Sequence, residues 1–308
     1  MSLPKVSVIG AGNVGATTSH ILLTCDLADV VMVDVVPGVA EGKAMDMMHM
    51  RGNEGFQATV LGYSDYSMTQ DSDIVVVTAG VPRKPGMTRE DLLNVNAGIV
   101  RSVLDEALPR SPEALYLFVT NPMDVMVNYA YQLSSLPKGR VFGMGGVLDT
   151  ARFVTAVCSC FGCQPNDVEA IVIGAHGEAM LPLPRLVKVK GQALTELADE
   201  HVIEDLVNET INGGAAIVEL LQTGSAYYAP ASAIVTMVAE ILHPTGRVLP
   251  VSAGLEGEYG LSGVHLGVPV RLGPGGVEGI IELDLHEDEY AALANAASSI
   301  TEQLSEIV

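Results

Sequence analysis

The chain has 308 residues, of which 37 are acidic and 16 basic, for a formal charge of −21. Nucleic acid and anionic membrane surfaces are excluded as partners, because one polyanion would have to approach another. Charged residues still make up only 17% of the chain and apolar ones 48%, which excludes extensive disorder and supplies a large core, in about two domains at this length.

In chain order, the first half alternates short β-rich runs with longer helical patterns. Lys5–Ile9 reads as a strand, broken at Gly10–Gly15, and Ala16–Thr24 as a helix. Val30–Val35 and Gly38–Met50 repeat that pairing, and Ala58–Tyr63 and Asp73–Ala79 give strands three and four. Thr88–Leu108 is helical, Leu115–Thr120 a fifth strand, Asp124–Leu136 a helix and Arg140–Gly143 a sixth strand. Near-continuous Val/Ile runs between helices predict a parallel sheet covered on both faces. The second half differs. Helices are expected at Asp149–Phe161, His201–Gln222 and Ala231–Leu242, the last after a turn at Tyr228–Pro230; Val168–Ile173 reads as a strand. A glycine-rich meander covers 246–285 and a final helix starts near Glu287. The expected fold class is α/β: a doubly wound, Rossmann-type parallel sheet over 1–148, followed by an α+β unit over 149–308.

Gly10-Ala11-Gly12-Asn13-Val14-Gly15 follows the first strand and opens a helix. The first glycine permits the tight turn, the second lets backbone approach a pyrophosphate, and the third lets helix pack on strand. The helix N-terminus then offers its unpaired N–H groups to the phosphates. Asp34 ends the second strand, where a carboxylate can bind both ribose hydroxyls of an adenosine and repel a 2′-phosphate, so NAD is expected over NADP.

At the end of strand four, Thr78-Ala-Gly-Val-Pro-Arg-Lys-Pro-Gly-Met-Thr-Arg89 is too rich in proline and glycine for regular structure. It lies beyond a carboxyl end of the sheet, the region where open α/β sheets bind ligands. Arg83, Lys84 and Arg89 make it either a solvated charged loop or a lid that closes positive charge over an anion. Strand five ends in Val119-Thr120-Asn121-Pro122, which is turn chemistry or a hydrogen-bonding site for a ligand. Asp149 reads as the N-cap of its helix, with Arg152 on the same side three residues on. His176, between glycines in Gly174-Ala-His176-Gly177-Glu178, is either structural or an acid/base group with a pKa near working pH.

Residues 1–150 carry 16 acidic and 10 basic groups, residues 151–308 carry 21 and 6, with no long run of one sign. Lysine is scarce, 6 against 10 arginines. The acidic surface fits an ordinary cytoplasmic protein or adaptation to high salt, where a Debye length of roughly 3 Å at ~1 M screens the self-repulsion. Four cysteines do not make a disulfide framework. Cys158, Cys160 and Cys163 cluster, but 158 and 160 would point to opposite sides of a helix and no fourth ligand follows, so no metal is expected. With no leader pattern and no apolar run of ~20 residues, the expected location is cytoplasmic.

Taken in order, GAGNVG, Asp34, TAGVPRKPGMTR, VTNP, LDTARF, GAHGE and TGSAYYAPASA at 223–233 resemble the lactate/malate dehydrogenase family over essentially the whole chain, on its malate-oxidising side. The resemblance implies that His176 donates and accepts the proton while Asp149 orients it. Arg152 would hold the substrate's C1 carboxylate through its planar fork, and Arg89 would polarise the C2 carbonyl when the lid closes. Asn121 would touch both substrate and nicotinamide, with Asn96, Val119 and Thr120 lining the cofactor cleft and the Gly10–Gly15 turn with Asp34 holding the adenosine half. In this family a glutamine at the position of Arg83 accompanies pyruvate and an arginine accompanies oxaloacetate. Arg83 therefore implies a small dicarboxylate, malate or oxaloacetate, as the partner. A closed pocket that mismatched a charge against a methyl group would leave it uncompensated. A lactate-type substrate and a non-catalytic NAD sensor are the competing readings; Arg83 opposes the first, and the joint presence of His176, Asp149, Arg89 and Arg152 the second. A homodimer or homotetramer is implied. The chain departs from the family's usual His-Gly-Asp with Glu178, and from its usual glycine with Ala175.

Overall fold

A computed structural model describes residues 3–82 and 86–307. Its first half runs β1 (Lys5–Ile9), α1 (Asn13–Thr24), β2 (Asp29–Val33), α2 (Val39–Glu54), β3 (Val60–Tyr63), β4 (Ile74–Val77), α3 (Arg89–Ala107), β5 (Leu115–Phe118), α4 (Met123–Ser134) and β6 (Val141–Gly143). All six strands pair in parallel in the order β3-β2-β1-β4-β5-β6. Every side chain of β4 and β5 is buried, which is why these strands read as unbroken apolar runs. Neighbours diverge after β1 and β4, so the loops leaving these two strands border a crevice at the carboxyl edge of the sheet.

The second half comprises α5 (Gly146–Phe161), β7 (Val168–Glu169), β8 (Val172–Gly174), β9 (Met180–Pro182), β10 (Lys188–Val189), β11 (Gln192–Ala193), α6 (Leu194–Leu197), α7 (Glu200–Leu221), α8 (Tyr228–Leu242), β12 (Val248–Glu256), β13 (Ser262–Gly273), β14 (Gly276–Ile280) and α9 (Glu287–Ser305). Five of its strands continue the same sheet. Gly143 of β6 pairs with Ser252 of β12 in antiparallel sense, and β12-β13-β8-β9 follow, with β14 on β13. The expected strand Val168–Ile173 is split: Val168–Glu169 joins a small sheet with β10 and β11, while Val172–Gly174 belongs to the large one. The expected turn at Tyr228–Pro230 is the first turn of α8, where a proline's missing N–H costs nothing. Residue 148 falls inside the first turn of α5, which starts at Gly146. One apolar core cluster runs through both halves, and a smaller one around Phe153, Val157 and Leu206 lies under α5 and α7.

Buried polar groups lock α4 to β13. Asn128 accepts from the main-chain N–H of His265 at 2.8 Å and donates to its carbonyl at 3.0 Å. The His265 ring, 2% exposed, lies 4.8 Å from that of Tyr131, and its Nε2 finds no hydrogen-bond partner among the described residues. Burial pushes its pKa down to about 4, the nearby Lys138 charge working the same way against a main-chain hydrogen bond at Val141. An unfolded histidine binds its proton below about 6.5, whereas the folded ring stays neutral to about 4, so stability falls as pH drops through that window. Between pH 7.5 and 5 this group should account for a loss of about 2 kcal/mol. Denaturant melts of wild type and His265→Gln at both pH values check it: the variant should show a flatter pH dependence by that amount, and parallel slopes would refute the assignment.

Candidate active site

The crevice is built from the loops after β1, β2, β4, β5 and β8. At the first, Gly10 leaves β1 with φ +103°, and a Cβ there would lie 2.8 Å from the Ala79 nitrogen. At Gly15 a Cβ would lie 2.0 Å from the Gly10 carbonyl oxygen, so α1 packs on the turn only because the residue is glycine. A Cβ on Gly12 would meet nothing within 4 Å, leaving that side open to a ligand. The helix starts at Asn13, earlier than its expected start at Ala16. Asn13, Val14 and Gly15 thus form its first turn, and no side chain caps its leading N–H groups. These are the groups a pyrophosphate would accept from.

Asp34 follows β2 directly. Its Oδ2 accepts from the Ala11 N–H at 2.8 Å and its Oδ1 from Val36 at 3.0 Å, so the carboxylate sits against the glycine turn. Lys43 of α2 donates to the Ala11 carbonyl at 2.6 Å. The spacing of the sequence did not point to Lys43, which reads there as an ordinary helix-surface lysine.

The loops after β4 and β5 are joined by Asn96, 1% exposed on α3. Its Oδ1 accepts from Val81 at 2.9 Å, while its Nδ2 donates to the Asn121 carbonyl at 2.7 Å. Thr120 donates to the Ala79 carbonyl at 2.6 Å, and Val119 continues the ladder by donating to Val77 at 2.9 Å. The Asn121–Pro122 peptide is cis, and the Asn121 side chain is exposed at the sheet edge. Arg83 and Lys84 lie outside the described residues. Arg89 opens α3 behind a capping box formed by Thr88 and Asp91. Its guanidinium is 3.7 Å from the Glu178 carboxylate with both side chains exposed, a pair worth little in water. It shows where the unusual Glu178 reaches.

The chemistry concentrates at α5 and the loop after β8. Asp149 is not the N-cap of α5; Gly145 is. Asp149 lies in the first turn, 1% exposed. Its Oδ2 accepts from His176 Nδ1 at 2.8 Å and its Oδ1 from Arg152 at 3.2 Å. Because a carboxylate can only accept, the Nδ1 carries the proton and Nε2 is left as the nitrogen for exchange. Burial pulls the His176 pKa down, but the charge and hydrogen bond of Asp149 and the charge of Asp124 outweigh it, and the net direction is up from 6.5. A Cβ on Gly145 would sit 3.1 Å from that of His176 and 2.7 Å from the Met123 methyl, so the histidine rests on a glycine floor. Gly213 and Gly214 of α7 face the Arg152 side chain, where Cβ atoms would stand 3.5 and 3.3 Å away.

Sequence reasoning missed Asp124 and Ser252. Asp124 accepts from the His176 main-chain N–H at 2.7 Å and from the Ser252 hydroxyl at 2.6 Å. These partners are 52 and 128 residues away in sequence, and Asp124 by itself looks like an acidic residue in the first turn of a helix. Cys158 and Cys163 come together at the end of α5, where burial and then their mutual hydrogen bond push the Cys158 thiol up.

A glycine turn at the switch point of a doubly wound sheet, an acidic residue beside it and, across the crevice, half-buried His176 and Arg152 gathered on the buried Asp149 define a dinucleotide-linked dehydrogenase site. Residues 4–143 match the lactate/malate dehydrogenase NAD binding domain, and residues 146–308 match that family's alpha/beta C-terminal domain. The chain belongs to the lactate/malate dehydrogenase family. It is 47% identical to a malate dehydrogenase of Roseiflexus sp. (strain RS-1), with 98% of each chain covered. Its structure is similar to that of Cryptosporidium parvum malate dehydrogenase, with TM-score 0.95, 41% identity and 99% of each chain covered. The lactate dehydrogenase of the same organism, solved with lactic acid and nicotinamide adenine dinucleotide, is also similar, at TM-score 0.95 and 37% identity over 99% of this chain and 98% of that one. The fold therefore does not separate the two substrates.

The glycine turn yields a paired expectation. Gly15→Ala should destabilise the protein by about 3 kcal/mol or more, because β1 and α1 must part to admit the methyl group. Gly12→Ala should melt with wild type yet bind NADH at least about tenfold more weakly. Calorimetry and NADH fluorescence titration of the two variants would measure both; equal melting losses would contradict the division of roles.

Proposed function

We propose that this chain is an NAD-dependent malate dehydrogenase that interconverts (S)-malate and oxaloacetate. The observation that carries the reading is the buried Asp149 carboxylate shared between His176 and Arg152, in a chain similar to malate dehydrogenases along its length. The uncapped N–H groups at the start of α1, at the end of the glycine turn, fit the cofactor's pyrophosphate, and Asp34 its adenosine ribose. Asn96, Val119, Thr120 and Asn121 flank the nicotinamide end. When bound, NAD⁺ supplies the acceptor for the hydride leaving C2 of malate.

Every other task falls to side chains. Arg152 grips the C1 carboxylate through two parallel N–H donors. His176 Nε2 takes the C2 hydroxyl proton during oxidation and returns it during reduction. Asp149 holds the ring in that tautomer and stabilises the imidazolium. Arg89, carried in by lid closure, polarises the C2 oxygen, and Arg83 pairs with the second carboxylate.

Oxidation of NADH followed at 340 nm with oxaloacetate and with pyruvate tests the substrate assignment. Oxaloacetate should be preferred in kcat/KM by about three orders of magnitude or more, since a buried carboxylate–arginine mismatch costs several kcal/mol. Arg83→Gln should collapse oxaloacetate activity and raise pyruvate activity; an unchanged preference would overturn the reading.

A cytoplasmic homodimer or homotetramer without nucleic-acid or membrane partners fits the charge of −21 and the free thiols of Cys25 and Cys160 at the surface. Exposed Leu220 (83%), Tyr228 (70%) and Met45 (63%) on α7, α8 and α2 support association. An acidic, lysine-poor exterior also supports adaptation to salt. Light scattering, activity and melting temperature at low salt and at about 1–2 M NaCl should show an oligomer that holds or gains in both; an active monomer, or steep losses with salt, would refute each part in turn.

A further inference from the structure

Behind the His–Asp–Arg cluster lies a second buried carboxylate. Asp124, in the first turn of α4 and 4% exposed, stands three residues after Asn121 and one after Met123, whose methyl group packs against Gly145. Its Oδ2 receives the main-chain N–H of His176 at 2.7 Å. Its Oδ1 receives the hydroxyl of Ser252, a fully buried residue of β12, at 2.6 Å. Ser252 in turn faces Gly143 of β6, at the one register pair where the antiparallel strands join the parallel ones. One side chain thus ties together the loop that carries the histidine, the helix that follows the nicotinamide-side loop, and the seam of the sheet.

We propose that Asp124 is a positioning residue for proton transfer: its carboxylate fixes the His176 main chain from behind and places a second negative charge beside the imidazole. The inference rests on the reading of His176 as the proton carrier. Among the described residues, the ionisable groups facing His176 are Asp149 and Arg152 from α5 and Asp124 from α4; the Ser252 hydroxyl of β12 reaches Asp124, and Glu178 and Arg89 pair on the solvent side. Asp149 and Asp124 both favour the imidazolium, and Arg152 opposes it. Asparagine at 124 would keep an acceptor for the His176 N–H. What it would lack is an ionisable group, so comparing aspartate with asparagine separates charge from shape. Burial, the largest influence, raises the Asp124 pKa with help from the Asp149 charge, and outweighs the pull of its two donors and of the His176 charge, so the net direction is up from 3.8.

The test follows kcat/KM for malate oxidation from pH 5.5 to 9, together with NADH affinity and melting temperature, in wild type, Asp124→Asn, Asp124→Ala, Ser252→Ala and His176→Ala. Wild type should lose activity as pH falls through a value above 6.5, because oxidation needs the neutral ring. Asp124→Asn should keep NADH affinity within about twofold and move that acid limb to lower pH by about half a pH unit or more. Asp124→Ala should lower kcat/KM by about a hundredfold or more, and Ser252→Ala by about three- to tenfold, mostly in kcat. An Asp124→Asn profile that superimposes on wild type overturns the proposal, as does a loss of NADH affinity that matches the loss of kcat/KM. If Asp124→Ala does not fold, Asp124→Asn and Ser252→Ala still decide. An active His176→Ala, or a wild type without an acid limb, would instead sink the reading of His176 itself.

Discussion

A carboxylate almost completely removed from water is tolerable only when its oxygens are matched by donors. At Asp149 those donors are an imidazole and a guanidinium. Removing either would strand a buried charge at a cost of about 3–5 kcal/mol, so the three side chains stand or fall together. The geometry of α5 follows from this constraint. Its first turn must point Asp149 inward, its second must bring Arg152 to the same face, and Gly145 must leave the floor clear beneath His176. The site is thereby fixed by α5 and the loop after β8 together, with no loop left to position the reacting nitrogen alone.

The continuous sheet makes that possible. Antiparallel β12, β13, β8 and β9 grow from the edge of a parallel six-stranded sheet, so the histidine loop after β8 and the asparagine loop after β5 are parts of one rigid surface. The joint is narrow, a single register pair between Gly143 and Ser252. It is there that Ser252 turns its hydroxyl to Asp124.

What the sequence revealed was whatever is local. GAGNVG is legible because a turn, a close approach and a helix contact each demand glycine at fixed spacing, and the structure places Gly10, Gly12 and Gly15 accordingly. Unbroken Val/Ile runs gave the parallel strands to within a residue or two. The failures have the opposite character. Asp149 has the look of a cap because Ser, Thr, Asn and Asp usually occupy that position; only the packed structure shows Gly145 there and Asp149 buried. Val168–Ile173 reads as one strand because apolar periodicity cannot register that the chain changes sheets midway. Asp124 and His265 draw no notice in sequence, since their partners, Ser252 and Asn128, are distant and their burial is a tertiary property. Family resemblance named Arg83 as the residue that selects the substrate, a role that no local pattern of the chain could assign.

The glycine pair in α7 has an effect on the helix itself. Gly213 and Gly214 clear the space that the Arg152 side chain occupies, but each weakens a helix interior by about 1 kcal/mol relative to alanine. The long helix therefore gives up intrinsic stability at the turn that lies against the Arg152 side chain. The loss in helix propensity is what keeps room for a guanidinium beside Asp149.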